Sequence, residues 1–121
     1  MKILIVDDSR TMRMIVKRTL RQAGYGGHKV DEAENGAVAL EMILADPPDM
    51  VLCDWNMPVM SGIELLEVLQ AEGLDCKFGF VTSEGTPEMR AKAQAGGALF
   101  LIAKPFTALH FENALGQHLA A

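Results

Sequence analysis

Five short apolar runs, each followed by an amphipathic stretch, constrain this chain more than any other feature. The runs are Ile3 to Val6, Lys29 to Ala33, Met50 to Cys53, Phe78 to Val81 and Leu99 to Ala103. Four are almost continuously apolar, as strands covered on both faces by helices must be. The second carries Asp31 and Glu32, which marks an edge strand. Strands that alternate with helices through right-handed crossovers form one parallel sheet wrapped on both sides. The 121 residues are the length of one such domain, so we expect a single domain over 1–121 with no output domain attached.

The intervening stretches have readable ends. Met12, Val16, Leu20 and Ala23 recur at helical spacing, with Gly24 placed to cap the C-terminus. Asn35 opens a second helix, with Ala37, Leu40 and Leu44 as its apolar stripe, and Asp46-Pro47-Pro48 closes it. Ser61 and Glu64 form a capping box ahead of Leu65, Leu66 and Leu69. Thr86-Pro87 starts a fourth helix whose apolar contacts, Met89 and Ala93, are few. Thr107 precedes a fifth, striped by Phe111, Leu115 and Leu119.

In such sheets ligands lie beyond the C-terminal strand ends. The first run ends in Asp7-Asp8, the third in Asp54, the fourth in Thr82-Ser83 and the fifth in Lys104-Pro105. Neighbouring strands are ~4.8 Å apart, so these side chains converge. Two carboxylates 4 Å apart repel by about 4 kcal/mol at an effective dielectric of 20. Lys104 offsets one charge, and the remainder calls for a cation. Few carboxylates with room for water describe Mg²⁺ better than Ca²⁺, and no His or Cys cluster offers a zinc site. Thr82 and Lys104 add a hydroxyl and a positive charge suited to an incoming phosphoryl group.

Taken singly these residues have ordinary roles. Asp7-Asp8 would serve as a turn or as the N-cap of the first helix, Asp54 as a strand terminator, and Lys104 as a solvated cation. Their combination favours a metal and phosphoryl site. Cys53 reads as a small buried hydrophobe, Met57 and Met60 as fillers, Trp55 as a loop-packing residue or surface anchor, and His28, His110 and His118 as surface residues.

Sixteen acidic against eleven basic side chains, a net charge of −5, disfavour nucleic acid and anionic membrane as partners. Two distant cysteines fit a reducing cytoplasm, and no apolar run approaches a membrane span.

Over residues 2 to about 120 the chain resembles response-regulator receiver domains, most closely the single-domain chemotaxis type. The matching motifs are IVDDS at 5–9, TMR at 11–13, EAENG at 32–36, DWNMP at 54–58, VTSE at 81–84 and KPFTA at 104–108. The resemblance implies a flavodoxin-like sheet in the order 2-1-3-4-5. It implies that Asp54 is the phosphoacceptor, forming an acyl phosphate. Asp8, Asp54 and the Asn56 main-chain carbonyl would ligate Mg²⁺ directly, with Asp7 acting through metal-bound water. Lys104 would contact the phosphoryl group and Thr82 would turn towards it as the switch. The Asn56 side chain and Glu84 sit where the family tunes phosphoryl lifetime, and the Lys104–Pro105 bond is one the family often holds cis. The donor would be a histidine kinase or histidine phosphotransfer domain. The output would be docking on a protein target such as a flagellar motor component, by a monomer that is not itself an enzyme.

Two positions depart from the family pattern. Leu101 stands three residues before the lysine, where an aromatic is usual, and Phe100 is read as a core residue on the opposite face. Ser61 replaces a common acid. We therefore expect altered partner specificity around the fourth helix, fifth strand and fifth helix. A phosphate sink, a relay intermediate and a receiver-shaped module without phosphorylation are the competing readings. A metal-dependent phosphatase is disfavoured by adjacent rather than D-x-D aspartates, and a dinucleotide binder by the absence of a glycine-rich loop after the first run.

Overall fold

The computed structural model of the protein describes residues 1–74 and 76–119. Strands β1 (Lys2–Val6), β2 (Lys29–Ala33), β3 (Met50–Cys53), β4 (Lys77–Thr82) and β5 (Phe100–Ala103) alternate with five helices. These are α1 (Arg10–Leu20), α2 (Gly36–Ala45), α3 (Gly62–Ala71), α4 (Pro87–Ala95) and α5 (Ala108–Leu115). All strand pairs are parallel, in the order β2-β1-β3-β4-β5. This is the expected flavodoxin-like sheet, with polar β2 at one edge.

Strand alternation sends side chains to two cores. Ile3, Ile5 and Leu52 pack with Val16 and Leu20 of α1 and Phe111 and Leu115 of α5. Leu4, Val6, Cys53 and Phe80 pack on the other face with α2, α3 and Ala93 of α4. Phe100 belongs to the first core, half-buried over Gly79, its partner in register on β4. A Cβ at Gly79 would overlap the Phe100 ring. The aromatic thus fills the space that the glycine leaves in a central strand.

The capping residues at Asn35, Ser61 and Thr86 are where the sequence places them, each side chain accepting from the backbone three residues on. Thr107 precedes α5, and its N–H donates to His110 Nδ1 at 3.1 Å. Gly24 also stands where the sequence places it: the helical backbone runs on beyond Leu20 to a kink at Gly24, whose φ of 99° is the left-handed conformation of a capping glycine. Two expectations are corrected. The N-cap of α1 is Ser9, whose hydroxyl accepts from the Met12 N–H, not Asp7 or Asp8. In α2 the buried face is Gly36, Ala39 and Ile43, while Leu44 is exposed. The sequence GAVALEMILA is apolar on most sides, so its period is ambiguous, and the small residues win the inner face because the helix lies close to the sheet and α3.

Candidate functional site

Register brings the acids together. Val6 lies beside Cys53, Cys53 beside Phe80, and Phe80 beside Leu101, a row across four strands. Asp7 and Asp54 each follow that row by one residue. Thr82 still lies in β4, paired with Ala103, and Lys104 follows immediately. One carboxylate oxygen from each of Asp7, Asp8 and Asp54 lies within 4.8 Å of the others.

Each acid is held differently. Asp7 is buried: its N–H donates to Ala33 O (3.1 Å), Oδ1 accepts from the Ser9 N–H (2.9 Å), and Oδ2 faces Lys104 Nζ at 3.4 Å. Its main-chain carbonyl accepts from Arg13 Nη1 at 2.6 Å. Asp8 is exposed at the mouth. Asp54 donates its N–H to Val6 O (2.9 Å), and its Oδ1 accepts from the Trp55 N–H (2.8 Å). Asp54 Oδ2 is 3.9 Å from Lys104 Nζ.

Burial raises the Asp54 pKa above the ordinary carboxylate value; Lys104 opposes that shift, and the charges of Asp7 and Asp8 add to it. Lys104 therefore bridges two carboxylates that repel each other, and it cannot neutralise three. The donor set is all oxygen, partly exposed and rich in negative charge, which fits a hard divalent cation such as Mg²⁺. Asn56, whose carbonyl is the implied third protein ligand, is exposed on the loop after Asp54.

The far side of the crevice is formed by the ends of β4 and β5. Thr82 is fully buried, and its hydroxyl accepts from the Glu84 N–H at 3.4 Å. Lys104 N–H donates to Thr82 O at 2.8 Å, so the two strand ends are coupled through the main chain. The Lys104–Pro105 bond is cis. Leu101 is half-buried against the second core, and Gly85 sits over Leu101 and Ala103.

The loop from Trp55 to Ser61 packs down rather than outward. Trp55 packs at a tilt against Phe80, 4.8 Å between ring centroids, and Met57 and Met60 lie half-buried against the same core. Trp55 is thus a packing residue, and Cys53 is buried as expected. His28 and His118 are half-buried beside Tyr25 and Phe100, and His110 is exposed.

The sequence reading missed Arg13 and Gly62. Arg13 entered it only as part of a motif, although it stands one turn beyond Ser9 on the face towards β2. A Cβ at Gly62 would overlap the Asp54 carbonyl. Gly62 is therefore the residue that lets α3 begin against the Asp54 main chain.

Comparison with known proteins agrees with this geometry. Residues 3–115 match the family described as the response regulator receiver domain. The chain is 42% identical over 119 residues to chemotaxis protein CheY-3 of Vibrio cholerae, covering 97% of this chain and 90% of that protein. It is 40% identical over 110 residues to chemotaxis protein CheY of Pseudomonas aeruginosa, covering 89% and 87%. The structure of Vibrio cholerae chemotaxis protein CheY4 superposes with a TM-score of 0.83 at 32% identity, covering 98% of each chain. The chain belongs to the response regulator receiver family, the phosphorylation-dependent switches of two-component signalling.

Proposed function

We propose that Asp54 accepts a phosphoryl group from the phosphohistidine of a histidine kinase or phosphotransfer domain, and that the resulting change at the surface of α4, β5 and α5 controls docking on a separate protein target in chemotaxis. The carrying observation is the cluster of Asp7, Asp8 and Asp54 oxygens within 4.8 Å, bridged on one side by Lys104.

Asp54 supplies the nucleophile. One of its carboxylate oxygens forms a bond to phosphorus as the phosphorus–nitrogen bond of the donor breaks, and that electron pair leaves on the imidazole. The Trp55 N–H and the Asp54–Val6 hydrogen bond keep the carboxylate in place. Asp8, Asp54 and the Asn56 carbonyl would hold Mg²⁺, with Asp7 behind them. When bound, the ion neutralises charge on the phosphoryl oxygens. Lys104 does the same from β5, moving from its Asp7 contact to a phosphoryl oxygen. Thr82 exchanges its Glu84 hydrogen bond for one to the phosphoryl group, and the loop that carries Glu84 and Gly85 follows. The exposed Asn56 and Glu84 flank the route by which water reaches the acyl phosphate, and so set its lifetime. Leu101 offers the target an aliphatic surface without a hydroxyl, which supports altered partner specificity on this face. Among the described residues no helix is long and apolar enough to cross a membrane, in keeping with a cytoplasmic role.

The test follows Trp55 fluorescence during addition of Mg²⁺ and then a small acyl phosphate, with intact mass measured in parallel. We expect a saturable, donor-dependent change and a mass gain of one phosphoryl group, both absent in Asp54→Asn. A metal response without any adduct would make the protein a receiver-shaped docking module instead.

A further inference from the structure

Arg13 reaches back from α1 to the strand end that carries the acid pair. Its Nη1 donates to the Asp7 main-chain carbonyl at 2.6 Å, and its Nε donates to Glu32 Oε1 on β2 at 2.9 Å. The side chain is only 14% exposed, and Glu32 is also 3.4 Å from Lys17. The guanidinium is planar with fixed donor directions, so these two acceptors set its plane. The carbonyl it holds belongs to the peptide that joins Asp7 to Asp8. A peptide unit is rigid, so fixing that oxygen also fixes the Asp8 N–H and the position of the Asp8 Cα from which its side chain departs. Asp7 has its own anchors, through Ala33, Ser9 and Lys104. Asp8 is exposed and depends on the peptide before it.

We propose that Arg13 is a positioning residue for metal binding: by orienting the Asp7–Asp8 peptide it aims Asp8 into the crevice. This rests on the reading of the three acids as a cation site. Partners that orient metal ligands change affinity by about 10–100-fold when lost.

Charge gives the test its direction. A cation near three carboxylates competes with a metal, so removing Arg13 for its charge alone should tighten Mg²⁺ binding. Removing it as a positioning group should weaken binding.

The experiment titrates Mg²⁺ against Trp55 fluorescence in the full chain and its Arg13→Ala, Arg13→Lys and Glu32→Gln variants. Amide chemical shifts of Asp8 and Ser9 are recorded without metal. We expect about tenfold weaker Mg²⁺ binding in Arg13→Ala, with displaced Asp8 and Ser9 amides. Arg13→Lys, which keeps the charge and one donor direction, should fall between it and the wild type. Glu32→Gln breaks the ion pair but leaves the Asp7 contact, so affinity should stay within about twofold. Unchanged or tighter binding in Arg13→Ala with unmoved amides would overturn the proposal and leave Arg13 as a strut between α1 and β2. If Glu32→Gln matched Arg13→Ala in both readouts, the ion pair and not the peptide contact would be responsible, which also overturns it. Were Arg13→Ala too unstable to study, Arg13→Lys carries the same comparison. Should the wild type itself show no Mg²⁺ response, the cation reading falls, and the metal-free amide shifts still decide whether Arg13 sets the Asp8 peptide.

Discussion

The two sides of the crevice are built to opposite specifications. On the side proposed as the acceptor, β3 is buried along its whole length, and Asp54 is tied to β1 and to its own loop. That loop is pinned at both ends: the Gly62 N–H donates to Trp55 O at 2.8 Å, and the Ser61–Glu64 box closes the start of α3. On the side proposed as the switch, Ala93 alone is buried in α4 among the described residues, and Ser83, Glu84 and Thr86 are exposed. Arg90 spans the gap with two long hydrogen bonds, to Gly85 O at 3.3 Å and Leu101 O at 3.2 Å. A phosphoacceptor works only if its oxygen is held in reacting geometry. A switch works only if two arrangements lie close in free energy, which requires few buried contacts. The contrast in packing is therefore the one that the proposed division between acceptor and switch requires.

One glycine on each side gives the largest test. A methyl at Gly62 would overlap the Asp54 carbonyl and crowd the Phe80 ring, main chain and core that cannot yield cheaply. A methyl at Gly85 would meet the flexible end of Arg90 at 3.1 Å and Ala103 Cβ at 3.2 Å. Gly62→Ala should cost about 2–3 kcal/mol in urea unfolding and slow phosphorylation by the small acyl phosphate. Gly85→Ala should stay within about 0.5 kcal/mol of the wild type, because the chain entropy it removes from the unfolded state offsets the small adjustment. Equal costs at the two positions would mean that the β4–α4 loop is as rigid as the acceptor loop, and the contrast would be lost.

The same division decides what could be read from the sequence. Asn35, Ser61 with Glu64, and Thr86-Pro87 are legible because a cap involves only residues three apart. The acids and Lys104 are legible because parallel strands place their C-terminal ends side by side whatever lies between. Arg13 is not: its partners are Asp7 and Glu32, and its role depends on where a long side chain ends after α1 has docked on β1. Phe100 over Gly79 is a cross-strand fit, invisible until register is known. The inner face of α2 failed for a third reason, a helix so apolar that periodicity could not choose Ala39 and Ile43 over Leu40 and Leu44.

Val59 sharpens the contrast from within the acceptor side. It is 81% exposed and adopts a φ of 69°, a left-handed conformation unusual for a β-branched residue. The surrounding loop holds it there through the Met60 and Gly62 contacts, so the strain is a by-product of pinning the segment after Asp54. Val59→Gly should stabilise the protein by about 1 kcal/mol, the relief of the left-handed penalty less the entropy that glycine adds to the unfolded chain. The midpoint of urea unfolding measures it. A loss of stability would show that the stiffness of Val59 is itself what holds the loop.

The smallest effect concerns the charge on the acceptor. Burial raises the Asp54 pKa, Lys104 opposes the rise, and Asp7 and Asp8 add to it, so the net shift is a contest between these causes. A carboxyl group that holds its proton more tightly in the folded state makes the fold less stable as pH rises from the ordinary carboxylate range through the raised value. Above that window the full cost of an ionised, partly desolvated Asp54 is present; below it the cost is gone. Metal-free Asp54→Asn should therefore melt above the wild type at neutral pH, and the gap should close as pH falls through the window. Mg²⁺ should then raise the melting temperature of the wild type more than that of Asp54→Asn, because it offsets the same charge. A gap that did not change with pH would trace the stabilisation to packing instead, and the acceptor would not be the strained charge that its surroundings make it.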